Sequence, residues 1–394
     1  MDNRPYYLVA TAGNPNYGDE FITACWLRYL AERFPETAVW VDCPQPGTAA
    51  LLFEGLHPKL RITNTLWRAV SEAAAELPAE DVGQRVADLV TNLGSPAYDL
   101  GLVKLREARS LHLLGGGYVN AVWPHHTGLI AGMRAVQSLT GARLYATGQG
   151  LMPFAVPAER ASRLFEGFDY VSVRDEESAV ALSAKLGLDD AFLGVGAEVA
   201  RSAGREGIFV CIQADMNDEG RFQEVVASAR SLIEELADDE TPVYYVEAIP
   251  GADHPAYALL ADLIPQENFL PFAQVWQEGL PIGPRQQWIT TRFHFHLLAA
   301  AAGARGVALS VKAGYYDIKH GSLAAIGSGW AVDSGRAGGR LAMPEAAGSL
   351  QLTLANRVEQ KRAEAGQLYP AGRPAERRPA LHSLRRKAFS ALTR

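Results

Sequence analysis

The stretch Tyr6-Tyr7-Leu8-Val9-Ala10-Thr11, followed by Gly13-Asn14-Pro15-Asn16-Tyr17-Gly18-Asp19-Glu20, decides the fold class. A short apolar run rich in β-formers meets a glycine-bearing turn. Asp19 to Phe34 then reads as a helix and Val39 to Asp42 as the next strand, which is the pattern of a parallel βαβ unit. Pro5 to Gly13 is apolar enough to imitate a signal peptide. No net positive charge precedes it, however, and Asn14-Pro15-Asn16 follows at once, so a buried first strand is expected.

Working outward, the pattern loosens into helical stretches such as Thr65 to Glu76 between about residues 51 and 109, an expected embellishment. Alternation resumes with strand Leu111 to Leu114, helix His126 to Leu139, strand Arg143 to Thr147, helix Pro157 to Phe165, strand Tyr170 to Val173 and helix Glu176 to Leu186. Polar Arg201 to Glu206 reads as a linker. A second set follows: strand Gly207 to Ile212, helix Glu219 to Leu236, strand Pro242 to Glu247, helix Arg292 to Ala302 and strand Val307 to Ser310. Leu350 to Ala365 reads as a closing helix with Ser349 as its cap. The expectation is α/β, with two facing Rossmann-like parallel-sheet domains at 1–200 and 206–355, then a crossing helix and basic tail at 356–394. Ligands of such sheets bind beyond the carboxyl ends of the strands.

Composition agrees. A chain of 394 residues exceeds one hydrophobic core, and 48% hydrophobic with 21% charged residues excludes wholesale disorder. The net charge of -7 is uneven: Glu359 to Arg394 holds nine basic and three acidic residues, so the tail carries +6 and the body -13. An acidic body argues against coating nucleic acid, and the seven tryptophans are too dispersed for a base-stacking platform. Cys25, Cys43 and Cys211 form no CxxC, which argues against a disulfide framework or cysteine zinc site and fits a reducing cytosol. No run approaches the ~18 to 20 apolar residues of a membrane span.

Six stretches at strand ends carry chemistry. The Gly13 to Glu20 turn allows close backbone approach, and amides at its helix start can receive an anion or a sugar hydroxyl. It is not GxGxxG, and an ordinary turn with Asp19 favouring the helix start accounts for it equally. Gly115-Gly116-Gly117, after Leu113-Leu114, is entropically costly for a structural turn and reads as close approach to a substrate. In Thr147-Gly148-Gln149-Gly150 the glutamine is placed to hydrogen-bond a polar ligand. Arg174 can clasp phosphate or carboxylate, or pair with Asp175 or Glu177, and Asp175 reads as an N-cap. In Thr291-Arg292-Phe293-His294-Phe295-His296 the two histidines share a face on a strand but not on a helix. No carboxylate or third histidine nearby completes a metal site there. Lys319, in Gly314-Tyr315-Tyr316-Asp317-Ile318-Lys319, is a point charge suited to phosphate. His112 reads as a satisfied core histidine and His125-His126 as a capping or surface pair.

In this order and spacing, Gly-Asn-Pro-Asn-Tyr-Gly-Asp-Glu, Leu-Gly-Gly-Gly, Gly-Gln-Gly-Leu-Met-Pro, Val-Arg-Asp-Glu-Glu-Ser, Thr-Arg-Phe-His and Tyr-Asp-Ile-Lys resemble the polysaccharide pyruvyl transferase family over most of residues 10–330. The resemblance implies a GT-B-like fold. It also implies transfer of the enolpyruvyl carbons of phosphoenolpyruvate to two hydroxyls of a cell-envelope or exopolysaccharide sugar, yielding a cyclic pyruvate ketal and phosphate. A donor bearing phosphate and carboxylate needs several cations in a dry cleft. The resemblance supplies Arg174, Lys319 and His294, with Gly148, Gln149 and Gly150 also assigned to the donor. His294 is the general acid with Arg292 beside it, and His296 shares that candidacy. Asn16, Asp19, Gly115, Gly116 and Gly117 are assigned to the acceptor, which is free, nucleotide-linked or lipid-linked. Phe293 stands where the family usually has an aliphatic residue. No metal or organic cofactor is implied.

The alternatives are a glycosyltransferase using a nucleotide sugar and a non-catalytic sugar-binding relative. A cytosolic donor implies a cytoplasmic protein. The tail, with Leu381, Leu384 and Leu392 among Arg385, Arg386 and Lys387, is suited to the inner face of an anionic membrane or is a plain solvated tail.

Overall fold

β1 (Tyr6–Val9), β2 (Val39–Asp42), β3 (Leu60–Thr63), β4 (Ser110–Leu113), β5 (Arg143–Gln149), β6 (Tyr170–Val173) and β7 (Lys185–Leu186) form one parallel sheet in the order β3-β2-β1-β4-β5-β6-β7. The computed structural model describes residues 4–202, 204–333 and 341–370. A second parallel sheet holds β8 (Gly207–Cys211), β9 (Val243–Val246), β10 (Phe269–Leu270), β11 (Gln286–Thr290), β12 (Arg305–Ala308) and β13 (Ala331–Val332), ordered β10-β9-β8-β11-β12-β13. β1 and β4 are buried along their whole length, as strands covered on both faces must be. Each sheet reverses its strand order once, between β1 and β4 and between β8 and β11. Such reversals open the crevice in which doubly wound sheets bind ligands.

Several local expectations change. The embellishment contributes a sheet strand, β3, as well as helices at Thr65–Glu76, Ala79–Thr91 and Asp99–Arg106. The helix expected to reach Leu186 ends at Leu182, because Ser183 turns left-handed (φ 51°) and frees Lys185–Leu186 to pair with β6. The helix expected over 157–165 shrinks to Ala158–Ala161, giving way to tighter i→i−3 turns such as Arg163 N to Arg160 O. Ser349 precedes the helix Leu350–Leu368 but makes no side-chain cap: its own backbone is helical (φ -86°, ψ -3°), outside the extended geometry a capping side chain needs.

That last helix ties the molecule together. It starts on the second domain, where Leu350 N donates to Gly327 O, and the residue after its last turn, Tyr369, meets His112 of β4. Midway, Lys361 is fully buried between Asp190 (2.5 Å) and Glu364 (2.6 Å). Among the described residues no helix is long and apolar enough to cross a membrane. The basic tail beyond residue 370 lies outside the described residues.

Candidate active site

Loops after β1, β4 and β6 face loops after β8, β11 and β12 across a cavity of about 780 Å³. Bonds between the domains keep it narrow. The Tyr17 amide donates to Ala248 O (3.0 Å), the Tyr315 hydroxyl donates to Gly117 O (3.0 Å), and the Tyr17 and Phe295 rings pack at 5.3 Å.

The floor of the cavity is a knot of opposite charges. Arg174, just past β6, donates from one terminal nitrogen to Asp189 Oδ2 at 2.6 Å, and its guanidinium lies 4.2 Å from the Phe293 ring centroid. Cation–π contact of this kind contributes about 0.5–2 kcal/mol and fixes the guanidinium plane. His294 reaches across from the helix Phe293–Ala301 so that Nε2 stands 3.4 Å from Asp189 Oδ1. Burial opposes the charge on Asp189, but His294 and Arg174 outweigh it and hold the carboxyl well below the usual carboxylate range. Lys319, on the helix Tyr316–Ala325, points its ammonium at the same place, 3.6 Å from the Tyr315 ring centroid. Burial, and then the Arg174 charge, push Lys319 well below the ordinary lysine range. An ammonium so placed is stabilised by an incoming anion.

Two glycines make this convergence possible. A Cβ on Gly117 would lie 2.6 Å from Lys319 Nζ and 3.1 Å from an Arg174 terminal nitrogen, so only hydrogen fits between the two cations. Any side chain on Gly18 would collide with the His294 imidazole, which rests on the first turn of the helix Tyr17–Arg33. Gly18 therefore seats a residue of the opposite domain.

The remaining expected residues divide. Asn16 and Asp19 line the cavity, the Asn16 amide donating to Asp19 Oδ2 at 2.8 Å. Asn16 holds the N-cap position, and Asp19 lies in the first turn, where an acid favours the helix start as expected. Burial raises the Asp19 pKa against the pull of His294, Lys319 and Arg174. Gly117 lines the cavity, whereas the Gly115 amide donates to buried Asp190 and Gly116 packs on Tyr118. Gln149 is not among the residues that line the cavity. It is fully buried, and its amide nitrogen donates to the carbonyls of Leu113, Leu114 and Thr147, bracing the sheet. Gly148 and Gly150 likewise pack under Asp190 and Arg174.

Arg174 pairs with neither Asp175 nor Glu177. Asp175 instead caps the next helix by accepting from Ser178 N. Arg292 lines the cavity but is held by Asp253 and Asp215, which overcome burial and raise its pKa. His296 turns away from His294, as helical spacing requires. It is fully buried, stacks on Trp330 at 4.3 Å, and shares a 3.0 Å hydrogen bond between Nδ1 atoms with His320. Burial holds His296 well below the usual histidine range, so the cavity receives only His294 of the pair. His112 is a satisfied core histidine, bonded to Tyr369 and Thr147. His126 holds the N-cap position of the helix Thr127–Thr140, without a side-chain cap bond, and both His125 and His126 are partly exposed and line the cavity with Trp67 and Trp123. Among the described residues no group of three or more His, Cys, Asp or Glu is placed to hold a metal ion.

Asp189 was invisible as a site residue, because its only sequence signal is a pair of acids, Asp189-Asp190, set in an apolar context. Asp215 and Asp253 lie in loops with no distinguishing pattern, and only the fold gathers them.

Comparison with known proteins bears on both fold and family. The family model described as polysaccharide pyruvyl transferase matches residues 16–312. Among solved structures, a Listeria monocytogenes protein described as a candidate UDP-N-acetylglucosamine 2-epimerase aligns with TM-score 0.50 at 11% identity, covering 94% of this chain and 92% of its own. The UDP-GlcNAc 2-epimerase from Neisseria meningitidis aligns with TM-score 0.49 at 9% identity, covering 93% and 92%. The first of these similarities concerns the fold, a GT-B-like pair of α/β domains. No curated protein matches the sequence.

Proposed function

The chain belongs to the polysaccharide pyruvyl transferase family, and from that premise we propose that it transfers the enolpyruvyl group of phosphoenolpyruvate to two hydroxyls of a cell-envelope or exopolysaccharide sugar. The observation that carries this reading is the meeting of Arg174 with Lys319 and His294, contributed by opposite domains, beside a glycine that leaves no side chain between the two cations. Phosphate and carboxylate on one small donor suit that cluster, and preorganised charge in a closed site acts more strongly than in water.

The chemistry follows from these groups. His294, as imidazolium, delivers a proton to the donor's methylene carbon, leaving C2 electron-poor while Arg174 and Lys319 hold phosphate and carboxylate. A sugar hydroxyl adds to C2 and gives its proton to Asp19, whose raised pKa suits a general base. The C2–O bond to phosphate then breaks, and the second hydroxyl closes the ketal. Asp19 returns its proton to His294, so that overall one hydroxyl proton replaces the one placed on the new methyl group and the other ends on the released phosphate. Asp189 holds Arg174 and His294 in register. The enzyme works where its donor is made, in the cytoplasm.

Incubation with phosphoenolpyruvate and glycans from cell envelopes tests the reaction. Phosphate release matched by a new ketal methyl signal in proton NMR is expected. Release of a nucleoside diphosphate from a nucleotide sugar, with no phosphate from phosphoenolpyruvate, would favour a glycosyltransferase.

A further inference from the structure

The cavity continues well beyond the cation cluster, and phosphoenolpyruvate, a small anion, fills only part of about 780 Å³. What lies outward is an unbroken series of aromatic rings. Tyr118, next to Gly117, packs on Trp67 at 5.9 Å; Trp67 meets His126 at 4.9 Å; and His126 stacks on Trp123 at 6.0 Å and 10°. Trp67 comes from the helix Thr65–Glu76, the embellishment on the first domain, and Trp123 and His126 from the loop after β4. The charges on this outer part cancel, since Arg68 donates to Glu72 at 2.6 Å. Burial lowers His126 to about 4, so that ring is neutral near pH 7.

Resting on the pyruvyl-transfer reading, we propose that this strip is the acceptor subsite and that it takes an uncharged pyranoside whose ring face lies on Trp123 and His126. Aromatic faces bind the C–H faces of sugar rings through apolar contact, and the Arg68–Glu72 pair offers donors and acceptors to hydroxyls. With Arg68 already paired to a carboxylate, the strip disfavours a diphosphate. The acceptor therefore presents neutral sugar along the strip, with any phosphate linkage outside it.

Tryptophan fluorescence titration in the presence of phosphoenolpyruvate tests this, with methyl galactoside, methyl glucoside, lactose and cellobiose against UDP-glucose and glucuronate. Saturable quenching by at least one neutral glycoside is expected, weakened at least tenfold in Trp123→Ala and His126→Ala and largely kept in Trp123→Phe, with melting curves establishing that each variant is folded. Binding confined to the charged ligands, no binding by any neutral glycoside, or equal binding by Trp123→Ala would overturn the inference. Phosphoenolpyruvate binding, measured alone by calorimetry, keeps the two readings apart. Its presence with no neutral-sugar binding sinks only the subsite, whereas its absence sinks the donor reading and leaves the sugar titration to stand or fall by itself.

Discussion

Asp189 links three parts of the site: it pairs with Arg174, faces His294, and binds the Ala191 amide at the start of the turn that carries Asp190. Replacing it with asparagine removes the charge but keeps the shape, so Asp189→Asn is expected to fold while losing about 100-fold or more in kcat/KM, the scale of a lost preorganising charge. Steady-state phosphate release checks this, and wild-type rates would refute the role. Lys319 gives a pH prediction. Its pKa is depressed in the empty site and rises when an anion arrives, so binding phosphoenolpyruvate takes up a proton. Affinity is full below the depressed pKa and falls as pH rises through it, by about tenfold per pH unit. Calorimetry in buffers of differing ionisation enthalpy should detect the proton uptake, and Lys319→Met should abolish it. At this scale Arg174 stands out in sequence as the residue just past a strand, whereas His294 and Lys319 sit on helices that the strand ends only introduce. A glutamine between glycines looks the same in sequence whether it faces a ligand or braces a sheet, and the amide nitrogen of Gln149 braces the sheet.

Elements fix how those residues meet. The helix Leu350–Leu368 contributes no group to the cavity, yet its buried Lys361 neutralises Asp190, which also accepts from Gly115 N and Trp26 Nε1. Lys361→Met leaves that carboxylate buried without its cation and should cost about 3–5 kcal/mol of stability. Thermal or urea unfolding reads the loss, and an unchanged midpoint would contradict the assignment. Asp42, at the end of β2, anchors the embellishment: it accepts from the amides of Leu66 and Trp67 and from the Tyr7 hydroxyl, capping the helix that carries Trp67. Asp42→Ala should destabilise by about 1–3 kcal/mol and raise the acceptor KM more than the donor KM. A proportional change in both would show that the insertion acts only on stability. The His-x-His stretch shows why element type had to be settled first: on a strand it is a pair, and on the helix Phe293–Ala301 it is one cavity residue and one core residue.

For the whole molecule, two parallel sheets facing across a crevice were readable from the alternation of short apolar runs with helical stretches. The strands β7, β10 and β13 escaped, since two residues are too few to show a period, and β3 and β11 escaped as well, because the polar residues Arg61 and Thr63 and Gln286 and Gln287 break the apolar run in each. The convergence of Arg174 from one domain with His294 and Lys319 from the other was unreadable from spacing, because it depends on how closely the domains approach, and Gly18 and Gly117 set that approach. The acidic body does not oppose an anionic donor, since field at the site comes from a few buried cations rather than net charge. Calorimetric titration with phosphoenolpyruvate, on the wild type, Arg174→Ala and Lys319→Met, tests the central claim most directly. One molecule bound per chain, with affinity reduced at least tenfold in each variant, is the predicted result. No phosphoenolpyruvate binding by the wild type, or equal binding by all three proteins, would contradict it.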